Sequence, residues 1–213
     1  MTLTLKKTGR IPGDVSDEQL EAIADLADRY SFGELRNTHQ QNMVLSDVAT
    51  DDLFELWEKL DALGMATPNL GLLTDIVACP GGDLCALANA KSVPVAEGIQ
   101  RRFDDMDYVH DLGPLDINIS GCMNACGHHH IGHIGILGVD KKGKEFYQIT
   151  LGGRGDKLSR IGEKMGPSFE SYEVTDVIEK IINVYVDKRL ENEPFIDTYE
   201  RIGMEPFKEH VYG

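Results

Sequence analysis

Gly121-Cys122-Met123-Asn124-Ala125-Cys126-Gly127 sits inside a 23-residue stretch, Ile117–Val139, that contains no Asp, Glu, Lys or Arg. The stretch is long enough to cross a bilayer, but its five glycines, four histidines, two asparagines and two cysteines make it far too polar for a membrane helix. It reads instead as chain running through a buried site. Upstream, Cys79-Pro80-Gly81-Gly82 and Cys85 form a second pair, so the four cysteines follow C-x5-C, 36 residues, C-x3-C.

Four chemistries compete for those sulfurs. Buried free thiols are common core residues, but two close pairs with nothing left over argue against chance. Disulfides suit an oxidising compartment, and Met1-Thr-Leu-Thr-Leu-Lys6-Lys7 lacks the apolar segment of an export signal. The cytoplasm is therefore the default expectation. Structural zinc favours C-x2-C knuckles around one tetrahedral ion, and neither pair has that spacing. A [4Fe–4S] cube, usually held by four thiolates, is larger and tolerates wider spacing. The glycines after Cys79 and Cys126 let backbone come close to inorganic sulfide. The residues favour the cube.

Working outward, the N-terminal third reads as a small α+β unit. Leu3 and Leu5 alternate with Thr2 and Thr4 as in a strand. Ile11-Pro12-Gly13-Asp14 is a turn, and Ser16-Asp-Glu-Gln19 is a capping box. Leu20, Ile23, Ala24 and Ala27 follow at helical spacing. Extended character centres on Met43-Val44-Leu45. A second helix begins near Thr50, with Leu53, Leu56, Trp57, Leu60 and Leu63 on one face and Gly64 as its stop. The boundary falls at Ala66-Thr67-Pro68-Asn69, giving units 1–66 and 67–213. In the second, Leu84–Phe103 has helical character that Pro94 must kink or split, and Ile117 and Ile119 mark a short strand. Ile134–Val139 and Phe146–Leu151 make a hairpin with Asp140–Lys144 as its loop. Residues 172–190 form an amphipathic helix with Val174, Val177, Ile178, Ile181 and Tyr185 inward, and the last twenty residues a short helical tail.

The balance of 36 acidic against 21 basic side chains, a formal charge of −15, gives no footprint for nucleic acid or an anionic membrane. No span qualifies as a transmembrane helix.

The cysteine pattern, Arg36-Asn-Thr38-His-Gln-Gln41-Asn42, Leu151-Gly152-Gly153 and Pro206-Phe207-Lys208-Glu209 together resemble the sulfite and nitrite reductase hemoproteins, over nearly the whole chain. The resemblance implies an α+β fold: a ferredoxin-like half-domain followed by a mixed-sheet α/β [4Fe–4S]/siroheme domain. It implies that Cys79, Cys85, Cys122 and Cys126 hold the cube, and that Cys126 is also the proximal ligand of the siroheme iron and the catalytic residue. One thiolate can bond both irons, giving the two centres a shared covalent path. The resemblance further implies cofactor contacts from Arg36, Thr38, Gln41, Asn42, Asn124 and Arg154, with Lys157 and Arg160 as further cations.

The activity implied is the six-electron reduction of sulfite to sulfide, with nitrite to ammonia as the alternative and a ferredoxin or flavoprotein as donor. The family's usual chain is more than twice as long, and this one resembles its C-terminal half. The implied partner is therefore the missing N-terminal half, although a naturally short reductase fits too. The rival from another class is a non-catalytic Fe–S or zinc docking module. His128, His129, His130 and His133 read as metal ligands, as proton donors or carboxylate contacts, or as structural groups.

Overall fold

A computed structural model describes residues 1–213. The first unit comprises β1 (Thr2–Leu3), α1 (Asp17–Tyr30), β2 (Leu35–Asn37), β3 (Met43–Leu45), a 3-10 turn at Thr50–Asp52 and α2 (Leu53–Ala62). Its strands form an antiparallel sheet in the order β1-β3-β2. The capping box forms as the sequence expects: Gln19 N–H donates to Ser16 Oγ at 3.2 Å, and Ser16 N–H to Gln19 Oε1 at 3.0 Å.

The buried faces of both helices differ from the sequence reading. α1 buries Ile23, Leu26, Ala27 and Tyr30 while Leu20 and Ala24 face solvent, because Leu26 and Tyr30 close over Leu3, Leu5 and Leu45 of the sheet. α2 buries Leu56 and Leu60, leaving Leu53 and Trp57 outside. Gly64 ends it at φ +69°, the left-handed conformation that glycine adopts without penalty.

The second unit runs β4 (Val77–Ala78), α3 (Gly81–Leu84), α4 (Val93–Arg102), α5 (Met106–Leu112), β5 (Ile117–Ser120), β6 (Ile134–Lys141), β7 (Lys144–Leu151), β8 (Glu163–Lys164), β9 (Phe169–Glu170), α6 (Ser171–Lys188), α7 (Phe195–Ile202) and α8 (Glu205–Tyr212). The sheet order is β4-β5-β6-β7-β8, with β9 also on β7. β4, β5 and β6 are parallel, and the remaining pairs antiparallel, so the sheet is mixed. Ile117, Ile119, Ile134 and Ile136 carry its core against α4 and α6.

Three expectations change here. The segment 84–103 is not one kinked helix: α4 starts at Val93 with Pro94 in its first turn, where the missing N–H costs nothing, and residues 85–92 are loop. The hairpin is tighter than expected. β6 and β7 pair to Lys141↔Lys144 across Lys142-Gly143, both at positive φ, as primed two-residue turns require. The C-terminal tail is two packed helices. Phe195 and Phe207 are fully buried, with Phe195 edge-on to Tyr185 at 5.4 Å between centroids.

The segment at the expected boundary is anchored. Asn69 is 1% exposed, accepts from Thr4 Oγ1 at 2.8 Å and donates to Lys6 O at 3.2 Å. Lys6, fully buried, crosses between units: its Nζ donates to Ile76 O at 2.6 Å and Gln40 O at 2.9 Å and lies 3.6 Å from Asp75. No helix is long and apolar enough to cross a membrane.

Candidate metal centre

β4 and β5 are parallel neighbours, and a cysteine follows each at its C-terminal end. That end of a parallel sheet is where open α/β folds place ligands. Cys79 comes directly after β4, and its N–H extends the ladder to Ile119 O at 3.0 Å. Cys122 comes two residues after Ser120, across the close Gly121. The N–H groups of Asn89 and Ala90 both donate to Gly121 O, at 2.8 and 3.0 Å, and Gly82 N–H donates to Ala90 O at 2.9 Å. These bonds fold the 79–92 loop, with Cys85 at the end of α3, onto the start of the second cysteine pair. A Cβ on Gly121 would meet Ala90 O at 2.6 Å and Gly81 Cα at 2.9 Å, so both loops need glycine there to approach this closely.

Cys126 follows Ala125, which sits at φ +57°. Gly127 then turns the chain back: its N–H donates to Ser120 Oγ at 3.2 Å, and its carbonyl accepts from Asn118 Nδ2 at 3.0 Å. All four thiols are free. Cys79 and Cys122 are buried, Cys85 is half-buried and Cys126 exposed. Cys79 Sγ accepts from Gly121 N–H at 3.0 Å and lies 3.3 Å from Ser92 Oγ. Sequence reasoning does not reach Ser92, since a serine before Val93-Pro94 reads only as a helix cap.

No three His, Cys, Asp or Glu side chains gather closely enough to hold a single metal ion. A cube separates its thiolates more widely than one tetrahedral ion does. Four unpaired thiols on two loops tied together at Gly121, with a backbone donor already on Cys79, suit the cube.

The histidines do not gather into a group of three that could hold a metal ion. His129 is buried and stacks on His130 with centroids 3.9 Å apart. Its Nδ1 has no hydrogen-bond partner, and burial, then the neighbouring His130, push its pKa down to about 4. His133 Nδ1 accepts from Asp116 N–H at 3.1 Å, and burial lowers its pKa. His128 and His133 line a cleft of about 730 Å³ between the two units, together with Thr38, His39, Asn42 and Asp116.

The expected cofactor-binding residues are placed as follows. Arg36 is exposed on β2 and paired with Glu34 at 2.6 Å. Arg154 is held by Asp156 at 2.6 Å and Glu200 at 3.0 Å. Thr38 Oγ1 accepts from Asn42 N–H at 3.0 Å. Gln41 bonds the backbone of Ala78, and Asn42 bonds Leu5 N–H and Asp75. Asn124 is exposed between Cys122 and Cys126. No lysine or arginine lines the cleft, and none occurs between Arg102 and Lys141. A macrocycle with eight carboxylates calls for cationic partners. Cys126 is an exposed thiol, but Arg36, Arg154 and Arg160 are paired with carboxylates and only Lys157 of the expected cations is exposed without an ion pair, so the residues present do not by themselves fit siroheme.

A parallel-strand end carrying four free cysteines on two close-packed loops, beside a small α+β unit, is an arrangement that suits a [4Fe–4S] domain. Residues 72–213 match the nitrite and sulphite reductase 4Fe-4S domain, and residues 8–63 the nitrite/sulfite reductase ferredoxin-like half domain. The chain belongs to the nitrite/sulfite reductase family, whose cofactors are a [4Fe–4S] cluster and siroheme. It is 33% identical over 195 residues to sulfite reductase [ferredoxin] 2 of Mycolicibacterium paratuberculosis, covering 87% of this chain and 35% of that relative. It is 28% identical over 184 residues to the chloroplastic ferredoxin–nitrite reductase of Arabidopsis thaliana, covering 82% and 30%. The solved structure of Mycobacterium tuberculosis NirA superposes with a TM-score of 0.76 at 29% identity, over 97% of this chain and 39% of that one. The chain thus spans about a third of the length of the curated relatives it matches.

Proposed function

We propose that this chain is the cluster-bearing part of a sulfite reductase, divided into units 1–66 and 67–213. Cys79, Cys85, Cys122 and Cys126 would hold a [4Fe–4S] cluster, and Cys126 would also supply a thiolate to siroheme once the cations of a second half complete its site. The meeting of the two cysteine-bearing loops at Gly121, whose N–H donates to Cys79 Sγ at the C-terminal ends of β4 and β5, supports the reading. The gradient of exposure supports the division of roles: Cys79 and Cys122 anchor the inner side, while Cys126 faces outward beside Asn124. The cluster would supply one-electron storage next to the reducing site.

Arg36 and Arg154 are tied to carboxylates, so the cations for siroheme and for an anionic substrate come from a second half, on another polypeptide or another part of the protein. Nitrite is the alternative substrate, since relatives of both names match. The donor is a ferredoxin, as those names state for the relatives, or a flavoprotein. The pairing of Arg36 and Arg154 with carboxylates also favours a second reading, in which the chain alone is a non-catalytic Fe–S module that docks to a catalytic partner.

Anaerobic purification with assays of iron, acid-labile sulfide and extractable tetrapyrrole tests the reading. Four irons and four sulfides per chain support the cluster, and tetrapyrrole with sulfite-dependent donor oxidation supports the reductase. Zinc without sulfide would refute it. A Cys126→Ser protein that still reduces sulfite with siroheme bound would refute the axial role.

A further inference from the structure

Ser92 occupies the N-cap position of α4, where a serine hydroxyl ordinarily accepts from the backbone of the first turn. Here it makes no such bond. The residue is 0% exposed, so water does not reach the hydroxyl, and its one hydrogen-bond partner is Cys79 Sγ, at 3.3 Å. The space around it is closed by backbone. A Cβ on Gly81 would meet Ser92 Oγ at 2.6 Å, and one on Gly121 would meet it at 3.0 Å. Two glycines therefore press the hydroxyl against this sulfur, and the helix gives up a side-chain cap at that end.

We infer that Ser92 is a positioning residue that sets the reduction potential of the cluster through Cys79, an inference that rests on Cys79 being a cluster ligand. A thiolate bound to iron carries no proton, so the hydroxyl is the donor. Together with Gly121 N–H at 3.0 Å, it gives the Cys79 sulfur two donors. Hydrogen bonds of this kind disperse the negative charge that accumulates on the sulfurs when the cluster takes an electron, and so favour the reduced state. Burial strengthens the effect because no solvent dipole competes. The device acts through the buried Cys79, whereas Cys126 is exposed.

The test uses the whole chain with its cluster, titrated anaerobically and followed by electron paramagnetic resonance of the reduced state. Ser92→Ala should retain four irons and four sulfides and shift the midpoint potential to more negative values. An unchanged potential with a full cluster overturns the inference. Should Ser92→Ala fail to hold a cluster, electron–nuclear double resonance decides on the unaltered chain, reconstituted in H2O and in D2O. Two exchangeable protons coupled to the reduced cluster at Cys79 are expected, from Ser92 and Gly121, whereas one alone overturns the inference. Cys79→Ala separates this from the underlying reading: a variant with the full iron and sulfide complement would mean that Cys79 is not a ligand at all.

Discussion

The Gln41 side chain pairs with Ala78 as a neighbouring strand would: its Oε1 accepts Ala78 N–H at 3.0 Å and its Nε2 donates to Ala78 O at 2.8 Å. Ala78 lies on the free side of β4, the edge of the mixed sheet, and directly precedes Cys79. One side chain from the first unit thus completes the backbone hydrogen bonding that fixes the inner cysteine. Gln41→Ala is expected to cost about 1–3 kcal/mol, the range for leaving buried polar partners unmet, read from denaturant unfolding. Gln41→Glu should cost more, because it sets a carboxylate oxygen against the Ala78 carbonyl. Both variants should release iron to a chelator faster than the unaltered chain.

Gly127 makes a sharper prediction. A Cβ there would fall on the Ile119 carbonyl and lie 3.2 Å from Cys79 N, both rigid backbone. Gly127→Ala should destabilise by about 3 kcal/mol or more, since neither neighbour can yield without breaking the β4–β5 ladder. The purified variant should hold little iron. Gly143→Ala, at a turn with open space around it, should change stability by about 1 kcal/mol through φ strain alone and keep its iron.

These two positions show what was legible in the sequence. The cysteine pairs, the capping box, α6 and the β6–β7 hairpin are written in local spacing, and the structure contains all of them. The buried faces of α1 and α2 are not: Leu26 and Tyr30 are chosen by Leu3, Leu5 and Leu45, which no helical period encodes. Asp140–Lys144 reads as loop because it is polar, yet backbone pairing continues through it regardless of side-chain polarity. Gln41 and Asn42 belong to a segment read as cofactor-binding, and their polar atoms meet Ala78 and Asp75, partners far along the chain that local spacing does not show. Ser92 carries no sequence signal beyond that of a cap.

His129 links the histidine cluster to acid stability. Burial, and then His130, hold its pKa near 4, below the ordinary value of 6.5, so the folded protein keeps the imidazole neutral where the unfolded chain would protonate it. The unfolded state binds more protons between these values. The stability His129 confers is therefore complete above about pH 6.5 and is lost as pH falls toward 4, by about 2–3 kcal/mol. His129→Phe preserves the ring and removes the unpartnered Nδ1. Its unfolding free energy should fall less steeply from pH 6.5 to 4.5 than that of the unaltered chain, and equal slopes would remove His129 as the cause.

Lys6 gives a second window, at alkaline pH. Burial, partly offset by Asp75, lowers its pKa from 10.5 to about 8. Below pH 8 the lysine is charged both folded and unfolded, and the fold bears the full cost of burying that charge. Between about pH 8 and 10.5 the folded protein releases the proton while the unfolded chain retains it, so this group's contribution becomes more favourable as pH rises, by roughly 3 kcal/mol across the window. Lys6→Met removes that cost together with the donors to Ile76 O and Gln40 O, and leaves the buried Asp75 without its ammonium partner. Unmatched buried carboxylates are the more expensive defect. Lys6→Met should therefore lower stability at pH 7 by about 2–4 kcal/mol and lose the gain between pH 8 and 10. Denaturant unfolding at pH 7, 8.5 and 9.5 reads both effects, and an unchanged pH slope in the variant would show that Lys6 does not titrate in this range.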